Sequence, residues 1–115
     1  MGVTIYHNPR CSKSRQTLQL LRDKGVEPEI VEYLKTPPDA ENLEAILDML
    51  GLEPRELMRR KEKDYKQLGL DDQSLSREEL IDAMVAHPKL IERPIVIKAG
   101  KAALGRPPES VVEIL

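Results

Sequence analysis

The sequence predicts an α/β (α+β) fold, a mixed β-sheet with helices packed on it and a helical insertion at about residues 39–88. Three observations predict this: a β-α-β pattern fills the first third of the chain, helix-period segments without strand composition follow, and a β-β-α pattern closes it.

The elements follow in order. Residues 3–6, VTIY, are β-branched or aromatic and run into His7-Asn8-Pro9, a strand entering a turn. In SKSRQTLQLLRDK, residues 12–24, Thr17, Leu18, Leu20 and Leu21 lie at helical spacing, and Gly25 supplies the usual stop. EIVEYL, residues 29–34, is rich in β-formers and ends before Thr36-Pro37-Pro38, which predicts a second strand. Asp39 is an N-cap for AENLEAILDML, whose Leu43, Ile46, Leu47 and Leu50 mark one helical face up to Gly51. Pro54 opens a short helix predicted over residues 54–61.

Ser76, with Glu79 three residues on, forms a capping-box pattern for a helix carrying Leu80, Ile81, Met84 and Val85 and ending at His87-Pro88. A strand at Ile95–Lys98, a Gly100 turn and a return strand near residues 102–104 come next, and PESVVEIL begins a final helix. A thioredoxin-like fold with a helical insertion, as one domain over residues 1–115, fits this order best.

Composition narrows the function. A net charge of −2 gives no electrostatic case for nucleic acid, and with Phe and Trp absent the chain lacks stacking platforms for bases. No window approaches eighteen apolar residues, and the N-terminus has neither a basic nor an apolar leader region, so no membrane association and a cytoplasmic location are expected. The single cysteine cannot form an intramolecular disulfide, which fits a reducing compartment.

That cysteine, Cys11, sits in HNPRCSKSR, residues 7–15. A lone cysteine is most often a small buried apolar residue. Here a proline two residues before it, flanking Arg10 and Arg15, and the strand-to-helix position point instead to a reactive thiol. A helix N-terminus offers unpaired N–H groups and roughly half a positive charge, both of which favour a thiolate. Arg10, Arg15 and a protonated His7 act in the same direction.

Spacing excludes several chemistries. Ser14 stands where a C-x-x-C pair would place its second cysteine, so a dithiol cycle is excluded. One Cys and two distant His residues make no zinc ligand set, and no metal is expected. Cysteine phosphatases place an arginine six positions after the nucleophile, where this chain has Thr17.

HNPRCSKSR resembles the active-site segment of the glutaredoxin-linked, glutathione-dependent arsenate reductases of the ArsC type, a thioredoxin-like family. The matching residues are His7, Asn8, Pro9, Cys11, Ser14 and Arg15. The likeness continues through EYLKTPP at 32–38, DYKQLGL at 64–70, AHPKLIERPIVI at 86–97 and GRPPE at 105–109, nearly the whole chain.

The resemblance implies reduction of arsenate to arsenite, with Cys11 as nucleophile and Arg59, Arg93 and Arg106 as the oxyanion clamp; Arg60 lies beside Arg59 in ELMRR. Supporting roles fall on His7, Asn8, Ser14 and Arg15, and Pro94 is implied to follow a cis peptide bond. No bound cofactor is implied; glutathione is the co-substrate and glutaredoxin the partner. Guanidinium groups suit the task, because a thiolate approaching an anion meets repulsion that planar, forked donors offset. Relatives of the same fold leave two alternatives: action on another glutathione-linked substrate, or a non-enzymatic regulatory binding module.

Overall fold

The computed structural model describes residues 2–115. They form two compact units, one made of residues 2–36 and 93–115, the other of residues 37–92.

The first unit is a four-stranded mixed sheet in the order β2-β1-β3-β4. Strand β1, Val3–His7, leads into helix α1, Ser12–Asp23, and then into β2, Glu29–Glu32, which lies parallel to β1. A parallel neighbour requires such a crossover, and α1 supplies it. Strand β3, Ile95–Lys98, runs antiparallel to β1 and returns as β4, Lys101–Leu104. Ala99 and Gly100, at φ 51° and 78°, join them in a two-residue hairpin turn whose twist matches that of the strands.

Val3 and Ile5 from β1, Val96 from β3, Leu21 from α1 and Val111 from the tail form the buried core of this unit. Alternation places them together: odd positions of β1 are buried and even ones only partly so. α1 ends in a Schellman motif, with the amide of Gly25 donating to the Arg22 carbonyl and that of Val26 to Leu21. Gly25 at φ 79° is the residue that lets the chain leave this way.

The second unit is helical. Helices α2, Ala40–Leu50, and α5, Arg77–Ala86, pack together, with the short α3, Pro54–Leu57, also on α5. Asp39 accepts from the Asn42 amide at 2.7 Å. Ser76 and Glu79 complete both halves of the expected capping box. Among the described residues no helix is long and apolar enough to cross a membrane.

The arrangement is the thioredoxin-like α/β sheet expected from element order. Four local expectations are corrected. The helix expected over residues 54–61 stops at Leu57, because Met58 turns extended and bridges Ile91. Arg59 donates its amide to the Leu90 carbonyl, and Glu92 donates to Leu57. Pairing between segments more than thirty residues apart thus overrides local helix preference, and it carries the helical unit to Glu92, past the expected limit near residue 88.

The strand expected over residues 29–34 ends at Glu32, where the amides of Lys35 and Thr36 both turn back to the Glu32 carbonyl. An unforeseen helix, α4, occupies Lys63–Gln67. The tail coils as a 3-10 helix, Pro108–Ile114, rather than an α-helix.

Candidate active site

The loop between β1 and α1 is built by its own side chains. Asn8 accepts the Arg10 amide on its side-chain oxygen at 3.0 Å, an Asx turn, while its carbonyl accepts the Cys11 amide at 3.0 Å. The Arg15 guanidinium donates to the Pro9 carbonyl at 2.9 Å. Cys11 is therefore held as the N-cap of α1, with extended backbone, and its carbonyl accepts the Arg15 amide. Its thiol is partly exposed.

Beneath the loop lies a buried polar pair. Ser14, fully buried on α1, accepts the Asn8 amide at 3.0 Å, and its hydroxyl lies 2.6 Å from His7 Nδ1. Burial pushes the His7 pKa below its ordinary value, while Glu32 opposes that shift and Arg22 and Arg15 add to it. The shift favours the neutral imidazole over the charged form that would add to the positive charge near Cys11, and the ring meets the loop through Ser14. At this 6% exposed position the pair meets the requirement that buried polar groups be bonded.

A pH dependence follows. The unfolded chain takes up a proton on His7 at higher pH than the folded one, so stability is full above the unfolded value near 6.5 and falls as pH drops through that window. Urea unfolding of wild type and His7→Asn at pH 7.5 and 5.5 is expected to show the larger acid loss in wild type. An equal loss in both would remove His7 as the cause.

Two arginines distant in sequence border the same end of the sheet, where Tyr6 pairs with Ile95 and Ile95 with Leu104. Arg106 follows β4, and its Nη2 lies 3.8 Å from Cys11 Sγ. Its Nε donates to the Arg93 carbonyl at 2.8 Å. The peptide bonds from Arg93 to Pro94 and from Arg106 to Pro107 are both cis, the first as the resemblance implied. Arg93 Nε is buried with no hydrogen-bond partner, a costly arrangement that an anionic oxygen would relieve.

The sheet unit thus brings together His7, Asn8, Cys11, Ser14, Arg15, Arg93 and Arg106. Arg59 belongs to the helical unit, where it pairs with Glu62 at 2.7 Å and Glu92 at 3.4 Å; its neighbour Arg60 donates to the Arg55 carbonyl at 3.3 Å. Among the described residues, no group of three or more His, Cys, Asp or Glu side chains is placed to hold a metal ion. Sequence reasoning missed the Arg106 contact with the sulfur and the Arg93 tether, since 95 residues separate Cys11 from Arg106 and no local pattern links them.

A thioredoxin-like sheet with one cysteine capping its first helix and an arginine over the sulfur defines a single-thiol protein. A profile of the ArsC family matches residues 6–114, and the chain belongs to that family. It is 63% identical over 114 residues to the uncharacterised protein YfgD of Escherichia coli strain K12, covering 98% of this chain and 96% of that one. It is 52% identical over 116 residues to an arsenate reductase of Haemophilus influenzae, covering all of both. The solved structure of an arsenate reductase from Vibrio cholerae superposes with a TM-score of 0.98 at 55% identity, over 100% of this chain and 98% of that one.

Proposed function

We propose that the protein reduces arsenate to arsenite through Cys11, with glutathione as co-substrate and glutaredoxin as the protein that regenerates the thiol. The contact between Arg106 and the Cys11 sulfur carries this reading: a fixed cation beside a partly exposed thiol favours the approach of an anion to that sulfur. The buried, unpartnered Arg93 Nε supports it with a second donor. Relatives at about half identity carry the name arsenate reductase. Arg59, held by two carboxylates, carries no comparable observation, and the clamp proposed is Arg93 with Arg106.

With one cysteine in the chain the second sulfur must come from outside, and the family resemblance supports glutathione as its source. The Cys11 thiolate displaces a hydroxyl group of arsenate, which leaves as water after protonation, and a sulfur–arsenic(V) bond forms. The glutathione thiolate then attacks the Cys11 sulfur. The pair of electrons in the sulfur–arsenic bond stays with arsenic, which leaves as arsenite. Arsenic gains two electrons and the two sulfurs lose one each, giving a mixed disulfide between Cys11 and glutathione. A glutaredoxin thiolate attacks the glutathione sulfur and releases Cys11. The partial exposure of Cys11 leaves room for that exchange.

The test is arsenate-dependent NADPH oxidation coupled through glutathione, glutaredoxin and glutathione reductase. Oxidation that needs the protein, arsenate and glutaredoxin together is expected. None from folded protein would move the assignment to another glutathione-linked substrate or to a binding role.

A further inference from the structure

Gly105 immediately precedes Arg106, and its surroundings differ from those of the other glycines. A Cβ added there would lie 2.5 Å from Thr17 Oγ1, 2.6 Å from Pro94 Cγ and 3.1 Å from Thr17 Cγ2, whereas added at any other glycine it meets nothing within 4 Å. The demand at Gly105 is for space, not for a left-handed backbone.

Neither obstacle is free to swing away. Thr17 is fully buried on α1, and its hydroxyl donates to the Lys13 carbonyl at 2.8 Å, which pins the rotamer. Pro94 is a rigid ring whose carbonyl accepts the Gly105 amide at 2.9 Å. That bond and the one from Arg106 Nε to the Arg93 carbonyl tie residues 105–106 to residues 93–94 at successive positions.

We propose that Gly105 is a positioning residue: its missing side chain lets the end of β4 seat between Thr17 and Pro94, and that seat sets Arg106 against the Cys11 sulfur. α1 carries Cys11 at its first turn and Thr17 six residues on, so one rigid helix presents both the sulfur and the stop that gauges the arginine's approach. A methyl group at residue 105 pushes the strand end off α1 and moves the guanidinium away from the sulfur. The catalytic meaning of this deepens the reading above and rests on it; the placement of the charge can be measured without arsenate.

The readout is the ratio of Cys11 alkylation rates by iodoacetate, an anion, and iodoacetamide, its neutral counterpart. Both reagents attack the same thiolate, so changes in thiolate fraction or access largely cancel, and the ratio reports positive charge beside the sulfur. Wild type is expected to exceed Arg106→Ala by about threefold, as one unit charge within a few ångströms in a solvent-exposed setting allows. Gly105→Ala should fall to the Arg106→Ala ratio, and adding Gly105→Ala to Arg106→Ala should change nothing further.

Thr17→Ala, which slackens the seat, should lower the ratio in part, and the double variant Gly105→Ala with Thr17→Ala should regain part of what Gly105→Ala loses, because the two Thr17 contacts go while the one with Pro94 Cγ remains. A folded Gly105→Ala with the wild-type ratio would overturn the proposal, as would an equal drop in the Arg106→Ala background or a wild-type ratio no higher than that of Arg106→Ala. If Gly105→Ala does not fold by circular dichroism, Thr17→Ala decides, and a wild-type ratio there overturns it. A wild-type ratio no higher than that of Arg106→Ala condemns the gauge; a higher one without arsenate turnover condemns only the substrate.

Discussion

Cys11→Ser is expected to bring arsenate-dependent NADPH oxidation down to the rate seen without protein while leaving the thermal unfolding midpoint nearly unchanged. A serine hydroxyl is far less acidic than a thiol, and serine cannot form the sulfur–sulfur bond that supplies two electrons to arsenic. The loss is therefore of the whole reaction and not of a fraction of its rate. The fold should tolerate the change, because Cys11 contributes no side-chain cap to α1 and lies partly in solvent. Residual glutathione-dependent turnover in this variant would mean that glutathione alone does the chemistry and that Cys11 is not the nucleophile.

Arg106→Ala is expected to lower kcat/KM for arsenate on the order of a hundredfold or more, the usual scale for removing a preorganised donor from a developing charge. The guanidinium makes two contacts at once, Nε to the Arg93 carbonyl and Nη2 toward the sulfur. A lysine has one nitrogen on a flexible stem and cannot keep both, so Arg106→Lys should recover only a small part of the loss. Arg93→Ala should fall in the same direction, since it removes the buried guanidinium nitrogen left without a partner. A kcat/KM within twofold of wild type in Arg106→Ala would remove that arginine from the chemistry.

Much of this architecture was legible in the chain because it rests on local rules. Asp39 and Ser76 cap their helices with their own side chains, as sequence spacing requires. The β1 strand showed itself by composition, and Gly25 by the left-handed exit it permits. Errors fell where distant segments compete with local preference. PRELMRRK has the composition of a helix, yet Met58 is taken by Ile91 and the helix ends at Leu57. His7 was expected to add positive charge when protonated; its burial beside Ser14, legible only in the structure, favours the neutral form.

The sequence by itself determined the fold class, the order of its elements, the placement of one thiol at a helix entrance and the motifs shared with the ArsC family. All of these are properties of neighbouring residues or of their chemical type. Tertiary structure alone decided which charges meet that thiol. Arg106 reaches Cys11 because β3 and β4 pair antiparallel and return the end of β4 to the mouth of α1, and because Gly105 has no Cβ to hold it off. Long-range placement depends on strand register and on excluded volume between segments far apart in sequence, and neither is written in any local pattern.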